Sequence, residues 1–229
     1  MNQIARQRYL ETLERIETAA RAAGRPAGTV RLLAVSKRHP VDAIRRLHDL
    51  GQRAFGENYV DEGVAKIRDL ADLDPIEWHY IGPIQSNKTR LIAEHFDWVE
   101  SVDRAKIIRR LNEQRPVGSG PLNVLIQVNL DEESQKAGCA PGEIGELADR
   151  IAESEHLKLR GLMAIPAPRD KPDEQRAVFA KLRDLFERLR QDHPGADTLS
   201  AGMSADLEAA IAEGATLVRI GTALFGPRD

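Results

Sequence analysis

Short, nearly unbroken apolar runs recur along the chain, each bounded by turn-forming residues: VRLLAVSK, RAFGEN, EWHYIG, WVESV, LNVLIQVNL, LRGLMAIP, TLSAG and LVRIG. Runs of this length without polar alternation predict strands covered on both faces, and NVLIQVNL is the clearest case. Segments of helical period lie between them. VDAIRRLHDLG follows the first run, and EQRAVFAKLRDLFERLRQDH follows the sixth, with Val178, Phe179, Leu182, Leu185, Phe186 and Leu189 at helical spacing. Strands that alternate with helices pair in parallel, because a parallel neighbour needs a crossover of about a dozen residues or more. The pattern therefore predicts an α/β protein built as a (β/α)8 TIM barrel, with an open doubly wound sheet as the runner-up.

Ahead of the first run, Ile4, Leu10, Leu13, Ile16 and Ala20 approximate one helical stripe that stops near Gly24, which predicts an extra N-terminal helix. Only TALFGPRD follows the last run, so the closing helix is expected to be missing or very short, with the N-terminal helix covering that side. Ala164 to Gln175 reads as a loop long enough to lie over the barrel mouth. No linker or low-complexity tract interrupts the alternation, and 229 residues suit one barrel, so residues 1–229 are expected to form a single ligand-binding domain.

Charge narrows the partners. The 33 basic and 36 acidic residues leave a formal charge of −3, which gives no global attraction for nucleic acid or an anionic membrane. Cys139 is the single cysteine, so an intrachain disulfide and a cysteine zinc cage are excluded and a reducing cytoplasm is the expected compartment. The opening residues interleave acids with bases and read neither as a signal peptide nor as a membrane span. The six histidines show no metal-binding spacing, and no phosphate-loop or complete dinucleotide fingerprint occurs.

In such a barrel the ligand site lies at the carboxyl ends of the strands, where Lys37 follows the first run. An amine placed there among apolar walls can become nucleophilic, although a solvated or ion-paired lysine is the plainer alternative. Asn58 and His79 lie near the ends of the second and third strands and are candidates to reach the same ligand; His79 also suits a hydrogen-bonded core position. Late in the chain, Gly202, Met203 and Ser204 open a helical segment and Gly221 and Thr222 follow the eighth run. Backbone N–H groups at such starts, with the Ser200, Ser204 and Thr222 hydroxyls, suit a phosphate. Ser204 serves equally well as the N-cap of ADLEAAIAEG. Arg219 sits inside an apolar strand on the side Gly221 faces, so it needs either an acid or a ligand as its partner. Lys136 offers a possible second amine after the fifth run.

A lysine, a phosphate cradle and an inward arginine together suggest pyridoxal 5′-phosphate. AVSKRHP, FGENYVDE, WHYIGPIQSNK, VNLDEESQKAG, GLMAIP, GMSADLEAAI and VRIGTALFG span most of the chain. In that order they resemble the successive motifs of the pyridoxal phosphate homeostasis protein family, single-domain relatives of the alanine racemase N-terminal barrel. The resemblance implies a Schiff base on Lys37, phosphate contacts from Ser204, Gly221 and Thr222, and Arg219 against the pyridine nitrogen. It further implies a cytoplasmic, monomeric carrier that stores, buffers or delivers the cofactor to cofactor-free enzymes, with no catalytic residue and no metal. The alternative is an amino-acid racemase, which needs a second base opposite the lysine; Tyr9, Tyr59 and Tyr80 are the only tyrosines. A phosphosugar lyase using Lys37 would share the cradle and show no pyridoxal chromophore.

Overall fold

The computed structural model describes residues 3–73, 75–131 and 137–227. All eight apolar runs form strands, at Arg31–Val35 (β1), Ala54–Glu57 (β2), Glu77–Tyr80 (β3), Trp98–Val102 (β4), Leu122–Gln127 (β5), Leu157–Met163 (β6), Thr198–Ser200 (β7) and Leu217–Ile220 (β8). They close into a parallel barrel in sequence order, with β8 returning to pair with β1. The crossovers are helices at Val41–Asp49 (α2), Val60–Asp69 (α3), Thr89–His95 (α4), Ala105–Gln114 (α5), Ile144–Ala152 (α6), Pro172–Asp192 (α7) and Leu207–Ala212 (α8). Alternate strand residues face two cores. Leu32, Ala34, Phe55, Val99 and Val218 belong to the large core under the helices, whereas Leu33, Val35, Ala54, Ile81 and Leu217 form a separate cluster, as do Trp98, Leu125 and Met163. Strand parity puts these smaller clusters inside the barrel, where each fully buried large side chain contributes about 1.5–3 kcal/mol.

Gln3–Ala22 forms the extra N-terminal helix (α1), and Thr222–Phe225 forms a short closing helix (α9) against which α1 packs together with α8. The buried face of α1 differs from the expected stripe: it is Tyr9, Thr12, Ile16, Ala19 and Ala20, while Ile4 and Leu10 are 59% and 48% exposed. The small alanines let α1 lie close to its neighbours, and Tyr9 reaches Gln52 at the edge of the barrel, which rotates the helix away from the Ile4–Leu10 side.

Two boundaries also move. The loop after β6 ends at 171, because Pro172 occupies the first turn of α7, and Asp131 ties that loop down through the Ala167 N–H and the Arg169 guanidinium at 2.7 and 2.5 Å. Helix α8 starts at Leu207 with Asp206 as its N-cap, so Ser204 does not cap it. The Asp206 carboxylate accepts the Met203 N–H at 2.6 Å, which folds 203–206 into a turn ahead of the helix. Gly161 marks the tightest strand contact: its φ is +144°, and a Cβ there would lie 1.9 Å from the Thr198 carbonyl oxygen. Among the described residues no helix is long and apolar enough to cross a membrane.

Candidate functional site

Parity along β1 runs Leu33, Val35, Lys37, so the lysine continues the inward-facing row where the strand gives way to a turn. That turn is fastened on both sides of the lysine. The Ser36 N–H donates to the Gly56 carbonyl at 3.0 Å, and its hydroxyl donates to Glu57 Oε1 at 2.6 Å. The buried Lys66 ammonium, reaching in from α3, donates to the Ser36 carbonyl, to Glu57 and to Glu62 at 2.8, 2.8 and 2.7 Å. Glu62 also accepts the Arg38 N–H at 2.5 Å. Arg38 has φ +61°, a left-handed conformation uncommon for a side-chain-bearing residue, and its guanidinium lies over the Tyr59 ring, 5.4 Å from the ring centroid. Lys37 itself is half-buried. Burial pushes the Glu57 carboxyl above its ordinary range, against the pull of Lys66.

The β1–β8 register sets Leu33 opposite Arg219 and Ala34 opposite Ile220, so Lys37 and Gly221–Thr222 leave neighbouring strands at the same end of the barrel. Stacking of His39 on Phe225, with centroids 4.7 Å apart, joins the two loops. Arg219 is 4% exposed and spends two N–H donors inside the protein, on the Ser200 hydroxyl at 2.6 Å and the Ala164 carbonyl at 2.8 Å. Burial lowers its pKa from the usual arginine value, with Glu100 opposing; a guanidinium keeps its proton regardless. Behind Ser200 stands fully buried Glu100, which accepts the Ser200 hydroxyl at 2.5 Å and meets His79 Nδ1 at 2.7 Å. The other ring nitrogen of His79 meets Glu77 at 2.8 Å, and Glu77 pairs with Arg31.

The sequence candidates therefore divide. Lys37, Arg219, Gly221 and Thr222 share one end of the barrel through β1 and β8. Gly221 caps α9, whose first N–H groups have no partner within the helix. Asn58 follows β2, and its Oδ1 is buried with no partner among the described residues; Gly82 must be glycine beside it, since a Cβ would lie 2.1 Å from the Asn58 carbonyl oxygen. Gly202 turns the chain with φ +94°, Met203 is exposed with its N–H taken by Asp206, and Ser204 stands half-buried in that turn. The Ser200 hydroxyl and both His79 nitrogens have partners within the barrel, and Ser200 also accepts from Arg219. Lys136 lies outside the described residues.

Glu57, Lys66 and Glu100 escaped notice in the sequence. The available signal was a carboxylate inside an otherwise apolar run, in AFGE and again in WVESV, which is the pattern that singled out Arg219. No group of three or more histidine, cysteine or acidic side chains among the described residues is arranged to hold a metal. Cys139 is buried, which pushes its thiol up to about 12 and leaves it inert. The donor set suits an aldehyde-bearing aromatic phosphate: an amine on a fastened turn, a guanidinium with N–H groups to spare, a buried amide oxygen lacking a partner among the described residues, and a helix start after the adjacent strand.

Residues 12–229 match the family model for the alanine racemase N-terminal domain. The chain is 60% identical over 215 residues to the pyridoxal phosphate homeostasis protein of Pseudomonas aeruginosa, covering 94% of this chain and 92% of that one. It is 52% identical over 231 residues to the protein of the same name from Escherichia coli strain K12, covering 100% and 98%. The solved structure of PipY from Synechococcus elongatus with pyridoxal phosphate bound is 38% identical and superposes with a TM-score of 0.78, covering 92% of this chain and 100% of that one. The chain belongs to the alanine racemase N-terminal domain family and, within it, to the pyridoxal phosphate homeostasis proteins.

Proposed function

We propose that this chain binds pyridoxal 5′-phosphate at the carboxyl end of its barrel and serves as a cytoplasmic, monomeric store that releases the cofactor to cofactor-free enzymes. The observation that carries the reading is that half-buried Lys37, just past β1, and buried Arg219, on the adjacent β8, lie toward the same end of the barrel. The names of its relatives, and the ligand named for PipY, support it. When bound, the group supplies an aldehyde that condenses with an amine and loses water.

The chain's own residues set how that group is held. Lys37 presents its amine from a turn that Lys66, Glu57 and Glu62 fasten. Arg219, which keeps its own proton at neutral pH, would hold the ring edge by N–H donation and would not protonate it, leaving the group a weaker electron sink. Gly221, Thr222 and Ser204 suit the phosphate, with Gly202 letting the chain turn beside it.

A racemase needs a second base, and the tyrosines serve poorly. Tyr80 is buried with its hydroxyl on the Pro83 carbonyl at 2.9 Å, and burial pushes its phenol up to about 12. Tyr59 is exposed, and its hydroxyl accepts from Arg38 at 3.1 Å. Tyr9 lies on α1 with its hydroxyl at Gln52, just before the amino end of β2 and at the other end from Lys37. Titrating cofactor-loaded protein against a cofactor-free aminotransferase tests the reading: recovered aminotransferase activity is expected. Sustained conversion of L-alanine to its mirror form, followed by chiral chromatography, would replace the carrier with a racemase.

A further inference from the structure

The barrel interior carries an ionic string that binding alone does not explain. Arg31 and Glu77 stand at the amino ends of β1 and β3; the contacts then pass through His79, Glu100 and Ser200 to Arg219. The string thus begins at the rim opposite the ligand and ends at the guanidinium below it.

His79 decides its charge state by geometry. Its Nε2 and Nδ1 lie 2.8 and 2.7 Å from carboxylate oxygens of Glu77 and Glu100. A neutral imidazole has one N–H, so it would turn a lone pair toward an anion at one contact; an imidazolium donates at both. The ring is fully buried and stacked on Trp98 of β4, with centroids 5.0 Å apart and planes 7° from parallel. Of the groups facing it, Glu77 lies on its own strand, Glu100 comes from β4, Ser200 and Arg219 stand beyond Glu100 from β7 and β8, and Gly56 of β2 brings no charge. Asp97, at the head of β4, feels the charge of the ring. Burial works against the imidazolium, yet the hydrogen bonds it donates to Glu100 and Glu77 outweigh it and raise the pKa.

We propose that His79 is a resident imidazolium and that Glu77, Glu100 and Ser200 act with it as positioning residues for Arg219. This rests on the cofactor reading above. Glu100 compensates the buried guanidinium from one hydroxyl away, so Arg219 gains a counter-charge without surrendering to a carboxylate the N–H groups that a ligand's ring edge needs. His79 in turn keeps Glu100 ionised: burial disfavours that carboxylate, but the imidazolium contact and then Arg219 and Ser200 hold its pKa below the ordinary value.

Nitrogen-15 NMR of the His79 ring, followed from about pH 6 to about pH 9 without cofactor, tests the first half. Both ring nitrogens are expected to stay protonated through the free-histidine range; a ring that titrates near about 6.5 overturns the proposal. The second half is read with nitrogen-15-labelled pyridoxal 5′-phosphate on wild type and on Glu100→Gln and His79→Gln. The pyridine resonance should sit in the unprotonated range in wild type and shift in both variants, while the borohydride-trapped link to Lys37 persists. Pyridine resonances identical to wild type overturn it. If a variant fails to fold, the wild-type histidine titration still decides. Absence of any trapped link in wild type would instead remove the cofactor reading, leaving the charge state of His79 to stand or fall on its own spectrum.

Discussion

Two buried ionic groups support the ligand end, and they do different work. Under the lysine turn, Lys66 is surrounded by the Ser36 carbonyl, Glu57 and Glu62, a compact cluster whose hydrogen bonds end on backbone to either side of Lys37. Under the arginine, the Glu77–His79–Glu100–Ser200 string is drawn out across the barrel and touches Arg219 only through a hydroxyl. The first holds in place the piece of chain that carries the half-buried Lys37; the second places a counter-charge near a buried cation. Position and potential are thus fixed separately, on adjacent strands. A reactive amine needs a rigid base, whereas a buried guanidinium must be compensated and still keep donors free.

The sharpest break in that comparison is Lys37→Ala. It should abolish the visible absorbance of the covalent cofactor link entirely while leaving the cofactor able to bind through phosphate contacts; undiminished absorbance would put the aldehyde on another lysine. Next comes Lys66→Met, which strands Glu57 and Glu62 without their shared cation and should cost about 3–5 kcal/mol in urea unfolding, since removing one partner of a buried pair leaves the other charge uncompensated. It should also slow covalent loading, and unchanged loading would show that the cluster stabilises the barrel without aiming the amine. Ser200→Ala removes one hydroxyl that both accepts and donates, for a smaller loss of about 1–3 kcal/mol.

The mildest perturbation is pH. Glu77 is held at about 2: burial works against its charge, but His79 and Arg31 outweigh it. A carboxylate with a depressed native pKa contributes stability that is present above its unfolded value of about 4.3 and lost as pH falls through the native one. His79, raised in the native state, contributes stability that is complete below about 6.5 and lost as pH rises through its higher native value. The urea midpoint should therefore fall below about pH 4.3 and again on the alkaline side, and Glu77→Gln should flatten the acid limb. An acid limb of the same depth in that variant would remove Glu77 from the string's energetics.

The barrel was legible because parallel strands are covered on both faces, so each leaves an apolar run that needs no knowledge of its neighbours. The phase of α1 was not, because its buried face meets a surface assembled from α2, α8 and α9, two of them nearly the whole chain away. Likewise, the start of α8 depended on a local turn: Asp206 accepts the Met203 N–H, which folds 203–206 ahead of the helix, so that α8 begins at Leu207 and Ser204 stands outside it. Lys37 and Arg219 were legible as charges at the edge of apolar runs. Their supports were not, since Lys66 comes from a helix face that reads as solvated, and pairing Glu100 with Ser200 requires the barrel to close.

Borohydride reduction of the cofactor-loaded protein, followed by peptide mass mapping, tests the central claim most directly. A phosphopyridoxyl group on Lys37 alone, absent from the Lys37→Ala variant, is the predicted result. The same mass on Lys136 with Lys37 unmodified, or no adduct on any peptide after saturating pyridoxal 5′-phosphate, would contradict it.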